Sequence, residues 1–217
     1  MDIALLGFLP WTDPSRGIAV QTNPAALAAE ACTGRLAEKG YRVAFVPVVV
    51  SDEGVRKARE TVDAMDPKVV VAVGQTKGGP RVERWGRVPG AGSPALPDEE
   101  QPWLLAPDAE ELAALLRTID AEGAELEPFA VSDDAGGYFC DNLVVELARW
   151  SRRTGRDARF LHVTAIDLSP PDVAQARLRS YECHLEATAL WLLSRALPST
   201  HAASPSFTRR MATTIRS

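Results

Sequence analysis

Apolar residues fall along this chain in two alternating patterns, and that alternation predicts the fold class. Short apolar runs at Met1 to Gly7, Tyr41 to Val50, Lys68 to Val73, Leu126 to Val131 and Ala158 to Val163 have the length of strands, and Tyr41 to Val50 is rich in β-branched residues. Between them, apolar positions three and four apart predict helices over Ala25 to Lys39, from Ser51 to Met65, over Ala109 to Glu122, from the Cys140 region to Arg153, and from Pro170 to Leu197.

The helix boundaries carry their own chemistry. Asn23 offers a side-chain acceptor to a free N–H, and Pro24 has no N–H to leave unpaired. Ser51 caps the second helix with Asp52 and Glu53 in its positively polarised first turn, and Ser169 stands before Pro170 and Pro171 at the last. Gly40 and Gly123 end the first and third. The run Lys68 to Val73 is apolar at every position but the first, as a parallel strand covered on both faces requires, so it is expected at the sheet centre. Pro47 inside its strand fits a sheet edge or a bulge.

Strands alternating with helices predict a three-layer αβα sandwich with a largely parallel sheet, in a single domain over 1–197. Two stretches lack periodicity: Phe8 to Thr22, expected as a loop, and Gly74 to Ala106, a long irregular excursion of the kind that carries function. Residues 198–217 are rich in Ser and Thr with little apolar content, and a mobile tail is expected there.

Composition narrows the function. A chain of 217 residues with 46% hydrophobic and 24% charged residues can bury one substantial core. A net charge of −5 gives no basic footprint for nucleic acid or an acidic membrane, and no stretch approaches the length needed to span a bilayer. Three cysteines far apart in sequence fit a reducing compartment, and the start of the chain is too short and acidic for a secretory signal, so the cytoplasm is expected. No Cys, His and carboxylate cluster has metal-ligand spacing, and neither metal nor cofactor is expected. Gly74-Gln75-Thr76-Lys77-Gly78-Gly79 follows a strand but lacks the spacing of a phosphate-binding loop.

The chemistry-bearing stretch is Ser132 to Asn142, where Gly136 and Gly137 let the chain turn from a strand into a helix and deliver Cys140 to its first turn. Unpaired N–H groups and the helix dipole favour a thiolate there and could hold an oxyanion; the same position equally suits a small buried residue closing the joint. A thiol nucleophile needs a base. His162 lies at the end of the next strand, whereas His184 sits inside the long helix and His201 in the tail. If consecutive strands are neighbours, Cys140 and His162 face one crevice at the carboxyl ends of the sheet; a strand-end histidine can also be merely structural.

Ala135 to Asn142 followed by Phe160-Leu161-His162-Val163 resembles the cysteine and histidine motifs of pyroglutamyl peptidase type I, cysteine peptidases that remove N-terminal pyroglutamate from peptides. Val73-Gly74-Gln75 and Val82-Glu83-Arg84 resemble the setting of that family's glutamate, and Gly7-Phe8-Leu9-Pro10-Trp11 with Asn23-Pro24 resembles its opening motif. The resemblance implies Cys140 as nucleophile, His162 as base and Glu83 as its orienting partner. It further implies Phe8, Pro10, Trp11 and Gln75 as substrate-binding residues, a peptide or small acyl-amide substrate, and assembly into dimers or tetramers. Without it, Glu83 reads as a solvated loop carboxylate between Arg81 and Arg84.

The chain departs from the family pattern at several points. The segment from Gln75 to Glu83 is short, Thr164 follows His162-Val163 in place of proline, and Thr12 to Gly17 replaces a Gly-Gly pair. Ala95 stands where the family carries an arginine that assists the oxyanion, which leaves Arg84 or Arg87 to supply the charge. Trp11 is bulkier than the family's phenylalanine. Two alternatives follow: a thiol hydrolase of another small acyl amide or ester, and a catalytically silent homologue that acts as a binding protein.

Overall fold

The structure is a computed structural model; it describes residues 1–13, 18–87, 103–119, 128–136, 138–166 and 169–196. Ala95 and the 198–217 tail lie outside the described residues. A six-stranded sheet runs through the molecule in the order β4 (Val43–Val48), β1 (Ile3–Phe8), β5 (Val69–Thr76), β10 (Asp157–Thr164), β6 (Arg81–Glu83), β9 (Ala130–Ser132). Every pairing is parallel except that of β10 with β6. Helices cover both faces, so the architecture is the three-layer sandwich with a largely parallel sheet that the strand–helix alternation predicts.

Strand alternation sorts the core into two layers. Ile3, Leu5, Val69, Val71 and Val73 face α1 (Pro24–Glu38), α3 (Ala109–Arg117) and α5 (Pro171–Ala196). Ala4, Leu6, Phe8, Val70, Ala72 and Phe160 face α2 (Asp52–Met65) and α4 (Phe139–Thr154). The continuous apolar run of β5 is fully buried on both sides, which places it inside the sheet between β1 and β10. Pro47 is tolerated because β4 is an edge strand. The caps form as their residues dictate: Asn23 Oδ1 accepts the Ala25 N–H at 3.0 Å, and Ser51 Oγ accepts the Gly54 N–H at 3.0 Å.

Three local expectations need correction. The stretch after β1 is not simply a loop, since β2 (Trp11–Asp13) and β3 (Ile18–Val20) pair antiparallel as a small hairpin. The excursion after β5 contains β6, which enters the main sheet, and β7 (Trp85–Gly86), which pairs with β8 (Trp103–Leu104). The neighbour of β10 on the far side from β5 is therefore β6 and not β9, the strand that precedes the Cys140 helix. A three-residue strand carries too few positions to show an alternation, which is why periodicity misses it.

Long side chains lock the layers. Arg159, almost wholly buried on β10, donates to Asp108 at 2.9 and 2.7 Å just ahead of α3. On the α1 and α5 side, the fully buried Glu186 accepts from Arg35 at 3.1 Å and from Lys39. Cys32 is fully buried in the same layer, in keeping with a packing role, and burial pushes its thiol upward.

Candidate active site

The candidate residues gather at the carboxyl ends of β5 and β10, as expected for an open parallel sheet. His162 pairs in register with Gly74 of β5 on one side and Arg81 of β6 on the other. Cross-strand partners share a face and residues two apart return to it, so Gly74, Arg81, Glu83, Phe160 and His162 all face the layer of α2 and α4. That is the layer from which the first turn of α4 delivers Cys140.

Gly74 locates the sulfur. A side chain built on it would begin 2.8 Å from Phe160 Cζ, 3.0 Å from Cys140 Sγ and 3.2 Å from His162 Cδ2. The thiol and the imidazole edge therefore converge on the point in β5 where no side chain stands. Glycine is needed there for close approach. Phe160 packs edge-on against the His162 ring, with centroids 5.0 Å apart at an interplanar angle of 71°.

His162 Nδ1 and Glu83 Oε1 are 2.6 Å apart, and the two side chains are only 2% and 0% exposed. The solvated-loop alternative for Glu83 is thereby overturned: the carboxylate is enclosed because β6 is a sheet strand and not a surface loop. Arg81 Nε donates to the same Oε1 at 2.8 Å, while Glu83 Oε2 is buried with no partner among the described residues.

For the half-buried Cys140, burial, then the nearby Glu83 and Asp141 carboxylates, push the thiol up to about 12, against a downward pull from Arg81. Desolvation of a compact anion thus opposes the thiolate that the helix terminus favours. In the first turn of α4 the Asp141 and Asn142 N–H groups donate to Tyr138 O at 2.9 and 3.4 Å, and the Cys140 N–H lies against its own sulfur.

The other predicted residues divide. Phe8 ends β1, is 3% exposed and belongs to the same apolar cluster against which Cys140 packs. Pro10 is exposed, and Trp11 is half-buried on β2 opposite Val20. The Gln75 side chain alternates to the face away from His162, so what it offers the cleft is main chain. Arg84 pairs with the exposed Glu110 at 2.8 Å and the exposed Asp133 at 3.4 Å; Arg87 reaches the site region through its backbone N–H, 3.3 Å from Asp141 Oδ1. The residue that sequence reasoning missed is Arg81. Its two-residue spacing from Glu83 was the available signal, and only a strand gives that spacing a common face.

Among the described residues, no three His, Cys, Asp or Glu side chains are grouped to hold a metal, and no helix is long and apolar enough to cross a membrane.

No protein-family model matches the sequence, and no curated protein matches it. Solved structures do match the fold. Pyroglutamyl peptidase I from Bacillus amyloliquefaciens superposes with a TM-score of 0.62 at 18% identity, over 87% of this chain and 97% of that one. A mutant pyrrolidone carboxyl peptidase from the hyperthermophile Pyrococcus furiosus gives 0.63 at 16% identity, over 91% and 100%. Pyrrolidone carboxyl peptidase from Thermococcus litoralis gives 0.56 at 18% identity, over 94% and 99%. The chain has the fold of these peptidases from end to end of their length, at an identity that speaks for the fold alone.

Proposed function

We propose that this chain is a cysteine peptidase that removes N-terminal pyroglutamate from peptides through Cys140, His162 and Glu83. The observation that carries the reading is the meeting of Cys140 Sγ and the His162 ring at Gly74, with Glu83 held 2.6 Å from the far side of that ring. Residues distant in sequence are brought by three separate elements into the order sulfur, imidazole, carboxylate.

In this reading Glu83 accepts the Nδ1–H of His162, which leaves Nε2 as the proton acceptor. Nε2 takes the proton of the Cys140 thiol as the sulfur attacks the carbonyl carbon of the pyroglutamyl bond. The Cys140 N–H at the start of α4, which lies against the sulfur, stabilises the resulting oxyanion. When the tetrahedral adduct collapses, Nε2–H protonates the departing amine and a pyroglutamyl thioester remains on Cys140. Water, deprotonated by His162, then attacks the thioester; the carbon–sulfur bond breaks, the thiol regains its proton, and pyroglutamate leaves. Phe8 supplies an apolar wall for a flat neutral ring, main chain at Gln75 supplies hydrogen bonds, and Pro10 and Trp11 close the outer side. The three cysteines, all unpaired in the structure, suit a reducing cytoplasm, and association into a homo-oligomer accompanies this reading.

The test is hydrolysis of pyroglutamyl-aminomethylcoumarin by the wild type and by Cys140→Ser. Turnover above buffer that vanishes in the variant supports the proposal. A second reading, hydrolysis of another small acyl amide, draws on Trp11 at the outer edge; preference for a different acyl-coumarin would favour it. A wild type inert toward the whole panel would make the chain a silent homologue.

A further inference from the structure

Arg81 is held as firmly as the triad, yet the triad chemistry gives it no task. It stands opposite His162 in the β6–β10 register. Its Nε donates at 2.8 Å to Glu83 Oε1, the same oxygen that lies 2.6 Å from His162 Nδ1. Its Nη2 donates at 3.2 Å to Thr76 Oγ1 at the tip of β5, and Thr76 Oγ1 also accepts the Gly78 N–H at 3.2 Å. The guanidinium is thus tied between two strand tips, about a quarter exposed (27%), with the fully enclosed Glu83 beneath it.

An enclosed carboxylate is costly unless a cation faces it. A neutral imidazole donates a hydrogen bond to Glu83 but brings no charge. Arg81 brings both, and by loading Oε1 it fixes which oxygen His162 meets. The charges around the sulfur make the second half of the case. Glu83 and Arg81 approach from β6, His162 from β10 and Asp141 from α4, with the Asp141 carboxylate accepting the Arg87 N–H. Both carboxylates disfavour a thiolate; Arg81 opposes them.

Building on the proposed triad, we infer that Arg81 is a positioning residue: it keeps Glu83 an oriented carboxylate toward His162 and offsets, at the Cys140 sulfur, the charge that this carboxylate imposes. The residue acts through its charge, so lysine should replace it and glutamine should not.

The experiment is the pH dependence of Cys140 alkylation by iodoacetamide in the wild type, Arg81→Gln and Arg81→Lys, read by peptide mass spectrometry, with kcat and KM measured on pyroglutamyl-aminomethylcoumarin. Expected for Arg81→Gln is Cys140 alkylation slowed about tenfold at each pH between 7 and 9 and a kcat lowered roughly 10- to 100-fold with KM changed less than about threefold. Arg81→Lys should restore most of both. An Arg81→Gln profile identical to the wild type, or an Arg81→Lys variant as impaired as Arg81→Gln, overturns the inference. Should the wild type leave the pyroglutamyl substrate untouched, the substrate assignment fails while the labelling profiles still decide the role of Arg81. If Arg81→Gln does not fold, the same labelling comparison on Thr76→Val, which frees one end of the guanidinium, is expected to show a smaller slowing; no slowing would count against the inference.

Discussion

Glu83 and His162, 79 positions apart in the chain, lie 2.6 Å from each other with neither side chain open to solvent. The contact exists because a three-residue strand, β6, runs antiparallel beside β10 and ends at the carboxylate. Glu83→Gln keeps the shape but loses the charge and the single acceptor role that set the tautomer. It should lower kcat at least about 100-fold with little change in KM, as stopped or continuous coumarin assays would show.

Gly74 is the second point of dependence. A methyl group there would meet Phe160, Cys140 and His162 at 2.8, 3.0 and 3.2 Å, and no backbone strain is involved in its being glycine. Gly74→Ala should therefore cost about 1–3 kcal/mol of stability by overpacking. Its larger effect should be on turnover, expected to fall by about 100-fold or more because the methyl separates sulfur from imidazole. Urea unfolding and kinetics on the same preparation separate the two effects.

His184 gives the fold a pH dependence. Burial lowers its basicity from 6.5 to about 4, and the neutral ring is satisfied by donating Nε2–H to Leu116 O at 3.2 Å and accepting from Ser180 Oγ at 3.2 Å. Below pH 6.5 the unfolded chain takes up a proton that the folded chain refuses, so stability is full above that pH and falls toward pH 4. The loss should amount to roughly 3 kcal/mol across this window. Unfolding of His184→Gln followed between pH 4 and 7 should show a flatter profile than the wild type; equal slopes would contradict the assignment.

Arg159 and Asp108 form an enclosed pair, with side chains 2% and 11% exposed. Removing Asp108 leaves a buried guanidinium with the more exposed Asp157 at 3.3 Å as its carboxylate partner among the described residues, beside the Ala158 and Leu105 carbonyls at 2.6 and 3.4 Å. Removing Arg159 leaves Asp108 with Arg195 at 3.2 Å. Asp108→Ala should thus cost about 3 kcal/mol and exceed the cost of Arg159→Met, a ranking that chemical denaturation can check.

Much of the fold was legible because it rests on local patterns. The apolar run of β5, the Asn23-Pro24 and Ser51 helix starts and the stripe of α5 each specify their element within a few residues. The site was legible only in part. Cys140 and His162 sit on elements with clear periodicity, whereas Glu83 and Arg81 sit on a strand whose existence depends on pairing with β10 and β9, far away in sequence. Nearest-neighbour reasoning placed the Cys140 and His162 strands side by side; β6 lies between them. The upward push on the sulfur is illegible for a related reason: a helix start can be read from sequence, but the desolvation that opposes it depends on packing across the sheet.

The proposed attack of Cys140 on a pyroglutamyl carbonyl is checked by incubating the protein with a pyroglutamyl chloromethyl ketone and locating the thioether adduct by peptide mass spectrometry. One adduct on Cys140, absent in His162→Ala and blocked by excess pyroglutamyl peptide, is the predicted result. An unmodified Cys140, or labelling that falls on Cys32 or Cys183 instead, would contradict it.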